Sequence, residues 1–381
     1  MNFGLTSSQQ AHKKAATTFA QEHLQQELDS LDHEQAFNWA GWRACAEQGY
    51  MGLTVPTEYG GGGLDILDAV LAMEGLGVGC RDNGLIFALN AHLWACAMPV
   101  VTFGTEEQKS HYLPKLASGE WIAAHAVSEP NAGSDAYSMK TTAEQHGDTI
   151  VLNGHKIYTT NGPIADLVLV FAQETDSEGE QVVSAFLVEK DTSGFSVKRT
   201  VSKMGMRTAQ MGELLFEECV IPAANRLGVE GGGMAIFTHG MEWERAFILS
   251  HAVGSMEYLL KRTVRFARQR KQFGQPIGKF QQVADKLVSM QIRLEHARNL
   301  LYKTAWLKSQ NKSILMEAAM TKVCLSEAWV ATCEDAMQVH GTLGYLTETG
   351  LERELRDALA SRFYSGTNEI QKNIIAGMMG L

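Results

Sequence analysis

The order in which hydrophobic periodicity changes along this 381-residue chain constrains its fold more than any other feature. Residues 5–118 repeat apolar side chains at helical spacing, residues 121–227 break into short β-type runs, and a helical period then returns. Short strands at this spacing predict a small barrel or sandwich, and long amphipathic helices joined by short loops predict an antiparallel bundle. We expect a multi-domain α+β protein with an N-terminal α-helical domain over 1–120, a middle β-barrel domain over 121–228 and a C-terminal antiparallel four-helix bundle over 229–381.

Local patterns predict individual elements within these domains. Asn153-Gly154 lies between two β-type runs, and this dipeptide is a specific signal for a hairpin turn. After the three glycines at 231–233, helical repeats predict long helices near 234–268, 281–309 and 314–339.

Composition restricts the class of protein. With 45% hydrophobic and 20% charged residues, the chain is expected to be a soluble globular protein, and no run approaches the roughly 20 apolar residues of a membrane span. A formal charge of −10 argues against general affinity for nucleic acid or anionic membranes. Residues 1–8 carry no targeting pattern, so we expect a cytoplasmic protein. Six cysteines without C-x-x-C pairing are expected to be reduced, mostly buried thiols, and no metal site is expected.

Glu244 places a carboxylate on the apolar stripe of a predicted helix. The stripe consists of Phe237, Met241, Glu244, Ile248 and Ala252, which share one helical face. An ionised carboxylate facing an apolar interior is costly unless it is paired, and desolvation raises its pKa toward the range of a general base. The adjacent arginine is not its natural partner, because consecutive helical side chains diverge by about 100°. From these residues alone, Glu244 is either a paired structural acid or a catalytic base.

Four other segments are rich in residues that bind polar ligands. They are the loop 127–135, with small residues, hydroxyls and free backbone N–H groups, and the segments 268–274, 338–345 and 364–369. Each one alone is also compatible with an ordinary loop or helix cap. The chain has no Gly-x-Gly-x-x-Gly after a strand, no Walker-type phosphate loop and no Gly-x-Ser-x-Gly elbow. A nucleotide would therefore have to be held in another way.

Taken together and in order, these segments resemble the acyl-CoA dehydrogenase superfamily of flavoproteins across nearly the whole chain. The matching motifs are Val55-Pro56-x-Glu58-Tyr59-Gly60-Gly61, Ser128-Glu129-Pro130-x-Ala132-Gly133-Ser134-Asp135, Arg270-x-x-Phe273-Gly274-x-x-Ile277, Gln338-x-x-Gly341-x-x-Gly344-Tyr345 and Gly366-Thr367. Five ordered motifs in three domains make this resemblance specific.

The resemblance implies FAD as the cofactor, with its ring system between the β domain and the helical bundle. The matching positions around the ring are Val127, Ser128, Gly133, Ser134, Tyr158, Thr159, Thr160, Thr367 and Glu369. It also implies a homodimer or homotetramer in which a second subunit contacts the adenosine and pyrophosphate end. Those contacts would come from Arg270, Phe273, Gln281, Gln338, Val339, Gly341 and Thr342.

The same resemblance leaves one acid for the catalytic base. Many members carry the base in a Tyr-Glu-Gly-Thr motif, but this chain has Ser365 at that position, and a serine cannot replace the acid at neutral pH. A smaller branch that includes isovaleryl-CoA dehydrogenase carries its glutamate on a helix just before an arginine, which is the position of Glu244 and Arg245. Glu244 is thus the expected catalytic base. Ser134, Arg245, Ser365 and Gly366 are the expected substrate contacts, with the Ser365 backbone N–H on the thioester carbonyl.

Within the superfamily, the chain most resembles the dehydrogenases and oxidases that act on L-prolyl carrier proteins. This narrower resemblance is carried by the segments 90–99, 240–246 and 363–367. It implies oxidation of an L-prolyl thioester on an acyl or peptidyl carrier protein to a pyrroline or pyrrole thioester, with molecular oxygen or an electron-transfer flavoprotein as electron acceptor. The alternatives are a short branched-chain acyl-CoA dehydrogenase and, from another class, a non-catalytic helical scaffold.

Two charged segments bear on the choice of partner. The acidic segment 172–180 contains four carboxylates, which would disfavour the phosphates of CoA, although a solvated hairpin also explains it. A basic group is formed by Lys261, Arg262, Arg265, Arg268, Arg270 and Lys271, and it is a candidate docking patch for an acidic carrier protein.

Overall fold

The N-terminal part of the chain is helical in the structure, a computed structural model that describes residues 4–25, 27–176 and 178–381. Its helices are α1 (Ser7–His23), α2 (Leu28–Glu34), α3 (Trp39–Glu47), α4 (Ile66–Gly79), α5 (Asn83–Asn90), α6 (Met98–Phe103) and α7 (Glu106–Ala117). A π-helical segment, Ala91–Ala97, connects α5 directly to α6. Residues 1–3, part of the N-terminal segment expected to carry no targeting pattern, lie outside the described residues.

The continuous helical stretch Asn83–Phe103 is longer and more apolar than expected, because no run of the sequence was expected to approach a membrane span. It is 21 residues long with a mean hydropathy of 1.6, so by length and composition alone it could cross a membrane. However, 89% of its most apolar window is buried inside the protein. A helix surrounded by other elements is apolar around its whole circumference, which explains how a core helix reaches the composition of a span.

The middle part forms an eight-stranded sheet around a core of its own. The strands are β1 (Ala123–Ala126), β2 (Thr142–His146), β3 (Thr149–Thr160), β4 (Leu167–Thr175), β5 (Gln181–Glu189), β6 (Phe195–Thr200), β7 (Met211–Pro222) and β8 (Arg226–Leu227). They lie in the order β6-β7-β3-β2-β4-β5-β8, and β1 pairs in parallel with β4. Side chains of strands that are not neighbours, such as Leu152 of β3 and Phe186 of β5, meet in one apolar cluster, so the sheet curves around them.

The hairpin expected at Asn153-Gly154 is wrong, because β3 runs through both residues. The pairing of β3 with β7 shifts register between Leu152 and Gly154, which places a bulge there. The Asn153 side chain binds the Glu218 backbone N–H on β7 at 2.8 Å. A Cβ at Gly154 would lie 2.2 Å from the Thr141 hydroxyl oxygen, so the glycine is required for a close approach and not for a turn.

The C-terminal part returns to helices. They are α8 (Gly233–Phe247), α9 (Ser250–Gln269), α10 (Gln281–Ser309), α11 (Leu315–His340), α12 (Thr342–Tyr345), α13 (Leu351–Ala360) and α14 (Asn368–Met378), with a short hairpin of β9 (Lys271–Gln272) and β10 (Gln275–Pro276) after α9. Helix α11 lies at the centre, where it packs against α8, α9, α10, α13 and α14.

The single helix expected near 234–268 is two helices. They meet at Leu249, whose φ of −97° and ψ of 11° depart from helical geometry. The break lies within a buried segment, where Ile248 and Leu249 are 0% and 1% exposed. The apolar stripe of α8 therefore ends with that helix, and Ala252 belongs to α9.

Two glycines allow the N-terminal helices to pack closely on the C-terminal bundle. Helix α4 crosses α9, where a Cβ at Gly77 would lie 1.9 Å from the His251 carbonyl oxygen. On the other helix, a Cβ at Gly254 would lie 2.0 Å from the Glu74 carbonyl oxygen. The two backbones are thus in direct contact, and this crossing fixes the two helical parts relative to each other.

We expect Gly254→Ala to lower the free energy of unfolding by about 1–3 kcal/mol, because overpacking forces the two helices apart. Gly377 is the matched control, since it also lies in a helix, α14, but has open space around its Cβ position. Gly377→Ala is expected to be neutral or to stabilise by up to about 1 kcal/mol. Urea denaturation of both variants tests the crossing, and equal stability changes would contradict it.

Candidate active site

Glu244, near the end of α8, has partners from two distant segments. The Ser365 hydroxyl donates a hydrogen bond to Glu244 Oε1 at 2.5 Å. His125 Nδ1, on β1, lies 3.7 Å from Glu244 Oε2. The Glu244 side chain is 14% exposed and that of His125 is 10% exposed. The carboxylate is therefore partnered at both oxygens while most of it is withdrawn from water.

The backbone around Ser365 is held in an unusual conformation. Ser365 and Gly366 both have positive φ values, 59° and 81°. Gln371 of α14 donates to the carbonyl oxygens of these two residues at 3.0 and 3.1 Å. Thr367 caps the N-terminus of α14 by accepting a hydrogen bond from the Ile370 backbone N–H. The start of α14 thus fixes the loop that presents the Ser365 hydroxyl to Glu244.

His125 is a site residue that the sequence analysis missed. It lies on the inner strand β1, where it pairs with Leu169 of β4. Its ring is edge-on to Phe171 at 5.3 Å and stacked on Phe237 at 6.4 Å. A signal was present, because alternate strand residues share a face and Val127, an expected flavin contact, lies two positions further on.

The pKa of Glu244 shifts in the direction opposite to the sequence expectation. Burial, the largest single influence, raises this pKa, as expected. The interactions with His125, followed by the Ser365 hydrogen bond and the charge of Arg245, outweigh burial and hold the pKa below its usual value. Glu244 is therefore a carboxylate at neutral pH, in the protonation state that can accept a proton.

Three buried polar atoms around Glu244 have no hydrogen-bond partner among the described residues. They are His125 Nε2, Arg245 Nε and the Tyr364 hydroxyl. His125 is a partner of Glu244, Arg245 follows Glu244 in the chain, and Tyr364 precedes Ser365. Buried polar groups are normally hydrogen-bonded, so a cluster of unpartnered ones is typical of a site that a ligand completes. The expected substrate contacts Arg245 and Ser365 therefore come together with Glu244, and Gly366 adjoins them.

The loop proposed to hold the flavin is anchored by a buried ion pair. Glu129 accepts from Lys156 Nζ at 2.7 Å and from the Thr141 backbone N–H at 3.0 Å. Lys156 is fully buried and Glu129 is 5% exposed. This pair ties the segment after β1 to β3, so Val127 and Ser128 are fixed while Gly133 and Ser134 remain exposed at the tip.

Residues 158–160 of β3 fit the edge of a flat, polar cofactor. A register shift between Lys156 and Thr159 interrupts the pairing with β7. Tyr158 consequently has a φ of 54° and is 61% exposed. The buried Thr159 hydroxyl has no partner among the described residues, and Thr160 follows at the strand end. The exposed Tyr158 ring and the unpartnered Thr159 hydroxyl next to it in the chain are compatible with a bound flavin.

The second group of expected FAD contacts lies at the far end of α11. Lys322, in the first half of α11, donates to Asn368 at the start of α14, next to Thr367 and Glu369. Gln338 is sixteen residues further along α11, which places it about 24 Å away. The rest of this group, Arg270, Phe273, Gln281, Val339, Gly341 and Thr342, lies at the same end of the bundle, where Phe266 of α9 stacks on His340 of α11 at 4.2 Å. Phe273 is 94% exposed there, as a contact to another subunit would require.

Several charged residues of the acidic and basic segments already have partners within the chain. Glu174 of the acidic segment is buried and pairs with Arg226 at 2.7 Å, so it does not belong to the solvated turn. Ser177 of the same segment lies outside the described residues. In the basic group, Lys261 pairs with Glu257 at 2.5 Å and Arg262 donates to the Thr349 carbonyl oxygen. Two of its six cations therefore already have partners within the chain.

We expect Lys156→Met to destabilise the protein by about 3–5 kcal/mol, because it leaves the Glu129 carboxylate buried without its cation. The double variant Lys156→Met/Glu129→Gln removes that charge and is expected to recover a large part of the loss. Denaturation curves of both variants, together with their bound flavin, test whether the ion pair anchors the loop. A double variant no more stable than the single one would contradict this role.

Comparison with known proteins identifies the family of this chain. Three parts of the chain match the N-terminal domain of acyl-CoA dehydrogenases over residues 6–120, the middle domain over 124–219 and the C-terminal domain over 231–380. The L-prolyl peptidyl-carrier-protein dehydrogenase of Pseudomonas fluorescens is 39% identical over 377 residues, which cover 99% of both chains.

Two solved structures are similar over the whole chain. The prolyl acyl carrier protein oxidase AnaB superposes with a TM-score of 0.97 at 55% identity and covers 99% of this chain and 100% of its own. PigA in complex with FAD and proline superposes with a TM-score of 0.96 at 39% identity and covers 100% of both chains. The fold, the ordered motifs and these similarities lead to one conclusion: the chain belongs to the acyl-CoA dehydrogenase family.

Proposed function

We propose that this protein is an FAD-dependent oxidoreductase that oxidises an L-prolyl thioester tethered to an acyl or peptidyl carrier protein. The product is a dehydroprolyl thioester, either a pyrroline or, after a second oxidation, a pyrrole. The chemical part of this proposal rests on one observation, the buried Glu244 carboxyl group held between Ser365 and His125. The substrate class is supported by the similarity to AnaB, PigA and the Pseudomonas enzyme.

Glu244 is the catalytic base in this proposal. The α-proton of a thioester is weakly acidic, so its removal needs a positioned base and hydrogen bonds to the carbonyl oxygen as negative charge develops. Glu244 Oε1 or Oε2 accepts the α-proton, and the Ser365 backbone N–H donates to the thioester carbonyl oxygen. The unpartnered Arg245 Nε and Tyr364 hydroxyl are available to the polar groups of the substrate.

Bound FAD supplies the hydride acceptor, which amino-acid side chains cannot provide. Its ring is proposed to lie on Val127, Ser128, Gly133, Ser134 and the segment 158–160, with Thr367 and Glu369 nearby. The residues at the far end of α11 are proposed to contact the adenosine end of FAD in a second subunit. The site is thus completed by a homodimer, which can pair into a tetramer.

Three further parts of the proposal concern the setting of the reaction. The electron acceptor is molecular oxygen or an electron-transfer flavoprotein, because either can reoxidise a reduced flavin. The carrier protein docks where its arm can reach Glu244, with the free cations of the basic group as a candidate surface. The enzyme acts in the cytoplasm.

The competing activity is that of a short branched-chain acyl-CoA dehydrogenase, which the order Glu244-Arg245 favours. Anaerobic incubation with L-prolyl carrier protein and, separately, with isovaleryl-CoA shows which substrate bleaches the flavin. Bleaching by isovaleryl-CoA alone would overturn the proposed substrate. A non-catalytic scaffold would neither retain flavin nor bleach with either compound, and the ionised acid in the site weighs against it.

We expect Glu244→Gln to lower the rate of flavin reduction by prolyl carrier protein by about 10²- to 10⁴-fold, the range of general-base catalysis. The glutamine is nearly isosteric and still accepts from Ser365, so FAD content and unfolding temperature are expected to match those of the parent. Stopped-flow flavin absorbance measures the rate. A variant that folds, binds FAD and reacts at the parent rate would exclude Glu244 as the base.

The contact between Glu244 and Ser365 also predicts that the acid can be exchanged between them. Glu244→Ser removes the base, and the added Ser365→Glu returns a carboxylate to the same point from the opposite side of the site. We expect the double variant to recover part of the flavin-reduction rate that Glu244→Ser loses. The control is Ser365→Glu alone, which places two carboxylates in contact and is expected to be impaired by their repulsion.

A further inference from the structure

The environment of His125 is unusual for a buried histidine. Its side chain is 10% exposed, and Phe171 and Phe237 pack against its ring. Nε2 has no hydrogen-bond partner among the described residues. An unpartnered buried nitrogen costs free energy, so a histidine in this place needs a reason beyond packing. The group that its other nitrogen faces is Glu244 Oε2, at 3.7 Å.

We propose that His125 is a positioning residue for Glu244, which keeps the carboxylate ionised and oriented between turnovers. This inference rests on the proposed function, because it assigns a partner to the same base. The two partners act differently. The Ser365 hydroxyl donates to Oε1 but carries no charge. His125 Nδ1 faces Oε2 at 3.7 Å, where an N–H dipole or the positive charge of a protonated ring would favour the charged form of the carboxylate.

The other groups that face Glu244 do not replace this function. Cys96 comes from the π-helical segment and Tyr364 from the loop before α14, and burial raises the pKa of both, so they stay neutral. Lys322 comes from α11, where burial lowers its pKa to about 7 and Asn368 already accepts from it at 2.8 Å. These three groups leave the carboxylate without a full nearby charge at neutral pH.

Arg245 is the remaining cation, and it follows Glu244 on the same helix. Its side chain diverges from that of Glu244, and no ion pair joins the two in the part of the chain that the structure describes. Its charge therefore acts on Glu244 from a distance. Among the described residues, His125 reaches the carboxylate from the β domain, whereas Ser365 reaches it from the loop before α14.

The sign of the effect follows from this arrangement. A partner that favours the charged form lowers the pKa of a carboxylate, and its removal raises that pKa. A base works only when it is deprotonated, so the rate of flavin reduction falls on the acid side as Glu244 becomes protonated. Loss of His125 therefore moves this acid limb to higher pH and leaves the rate at alkaline pH largely unchanged.

The test uses the holoenzyme with L-prolyl carrier protein as substrate, in single turnovers from about pH 3.5 to 9, a range that includes the acid limb expected for a lowered Glu244 pKa. We expect His125→Phe and His125→Gln to move the acid limb of flavin reduction upward by about one pH unit or more, the size of an opposite-charge effect at this distance. Phenylalanine keeps the ring packing, and glutamine keeps a hydrogen-bond donor. A purely structural role would lower the rate by the same factor at every pH, and that result would overturn the proposal.

His155 provides the matched control. It lies on β3 of the same sheet, and its Nε2 is 2.9 Å from Glu213, a histidine–glutamate pair that involves neither Glu244 nor Ser365. Arg199 also pairs with Glu213, so this carboxylate keeps a cation when His155 is changed. His155→Phe is expected to leave the pH profile of flavin reduction unchanged. A shift equal to that of His125→Phe would contradict a local effect on Glu244.

A second readout does not depend on turnover. The infrared band of a protonated carboxyl group at Glu244 is identified by its loss in Glu244→Gln. In the parent holoenzyme this band is expected only at pH values below the usual range for glutamate, and in the His125 variants at higher pH. A band present at pH 6 in the parent would overturn the proposal even if neither variant folds.

The experiments distinguish an error in the proposed base from an error in the inference about His125. If Glu244→Gln retains the parent rate, Glu244 is not the base and His125 cannot be its positioning residue. If Glu244→Gln is inactive and the acid limb is the same in parent, His125→Phe and His125→Gln, only the inference about His125 is wrong.

Discussion

A carboxylate withdrawn from water needs partners to remain ionised, and much of this structure serves to supply them to Glu244. The acid lies on α8, one partner lies on the first strand of the β domain, and the other precedes the last helix. These elements belong to segments separated by 119 and 121 residues, by the numbering of His125, Glu244 and Ser365. The charge state of one side chain therefore depends on the docking of a sheet and a bundle.

The surrounding fold holds these segments by contacts that leave little room for adjustment. Gly77 and Gly254 bring the backbones of α4 and α9 together, which fixes the N-terminal helices on the bundle. The buried pair of Glu129 and Lys156 ties the segment after β1 to β3. These contacts limit the movement of α4 against α9 and of the segment after β1 against β3.

The contact between Glu244 and Ser365 brings the two positions considered for the acid to one point in the structure. The two side chains come from segments 121 residues apart and meet directly, so a carboxylate on either one would lie in the same part of the proposed site. Ser365 also contributes a hydrogen bond, since its hydroxyl donates to Glu244 Oε1 at 2.5 Å. The positive φ of Ser365, held by Gln371, directs that hydroxyl.

Periodicity predicted the order of helical, β and helical parts, and the ordered motifs predicted the family and its cofactor. Local signals were less reliable where a distant segment decided the outcome. Asn153-Gly154 has the composition of a turn, but pairing with β7 keeps it within a strand as a bulge. The helical period after residue 233 gives no sign of the break at Leu249, where φ and ψ depart from helical values within a buried segment.

The sequence, through its resemblance to the family, predicted Glu244 as the base, because Ser365 occupies the usual position of the acid. The surroundings of that acid became evident only in the folded chain. Burial alone, which a helical stripe can predict, would raise its pKa, but His125 and Ser365 reverse the shift. The effect of His125 and Ser365 could not be deduced from the spacing of residues in the sequence. Both residues are more than 100 positions from Glu244 and come within contact distance only in the folded chain.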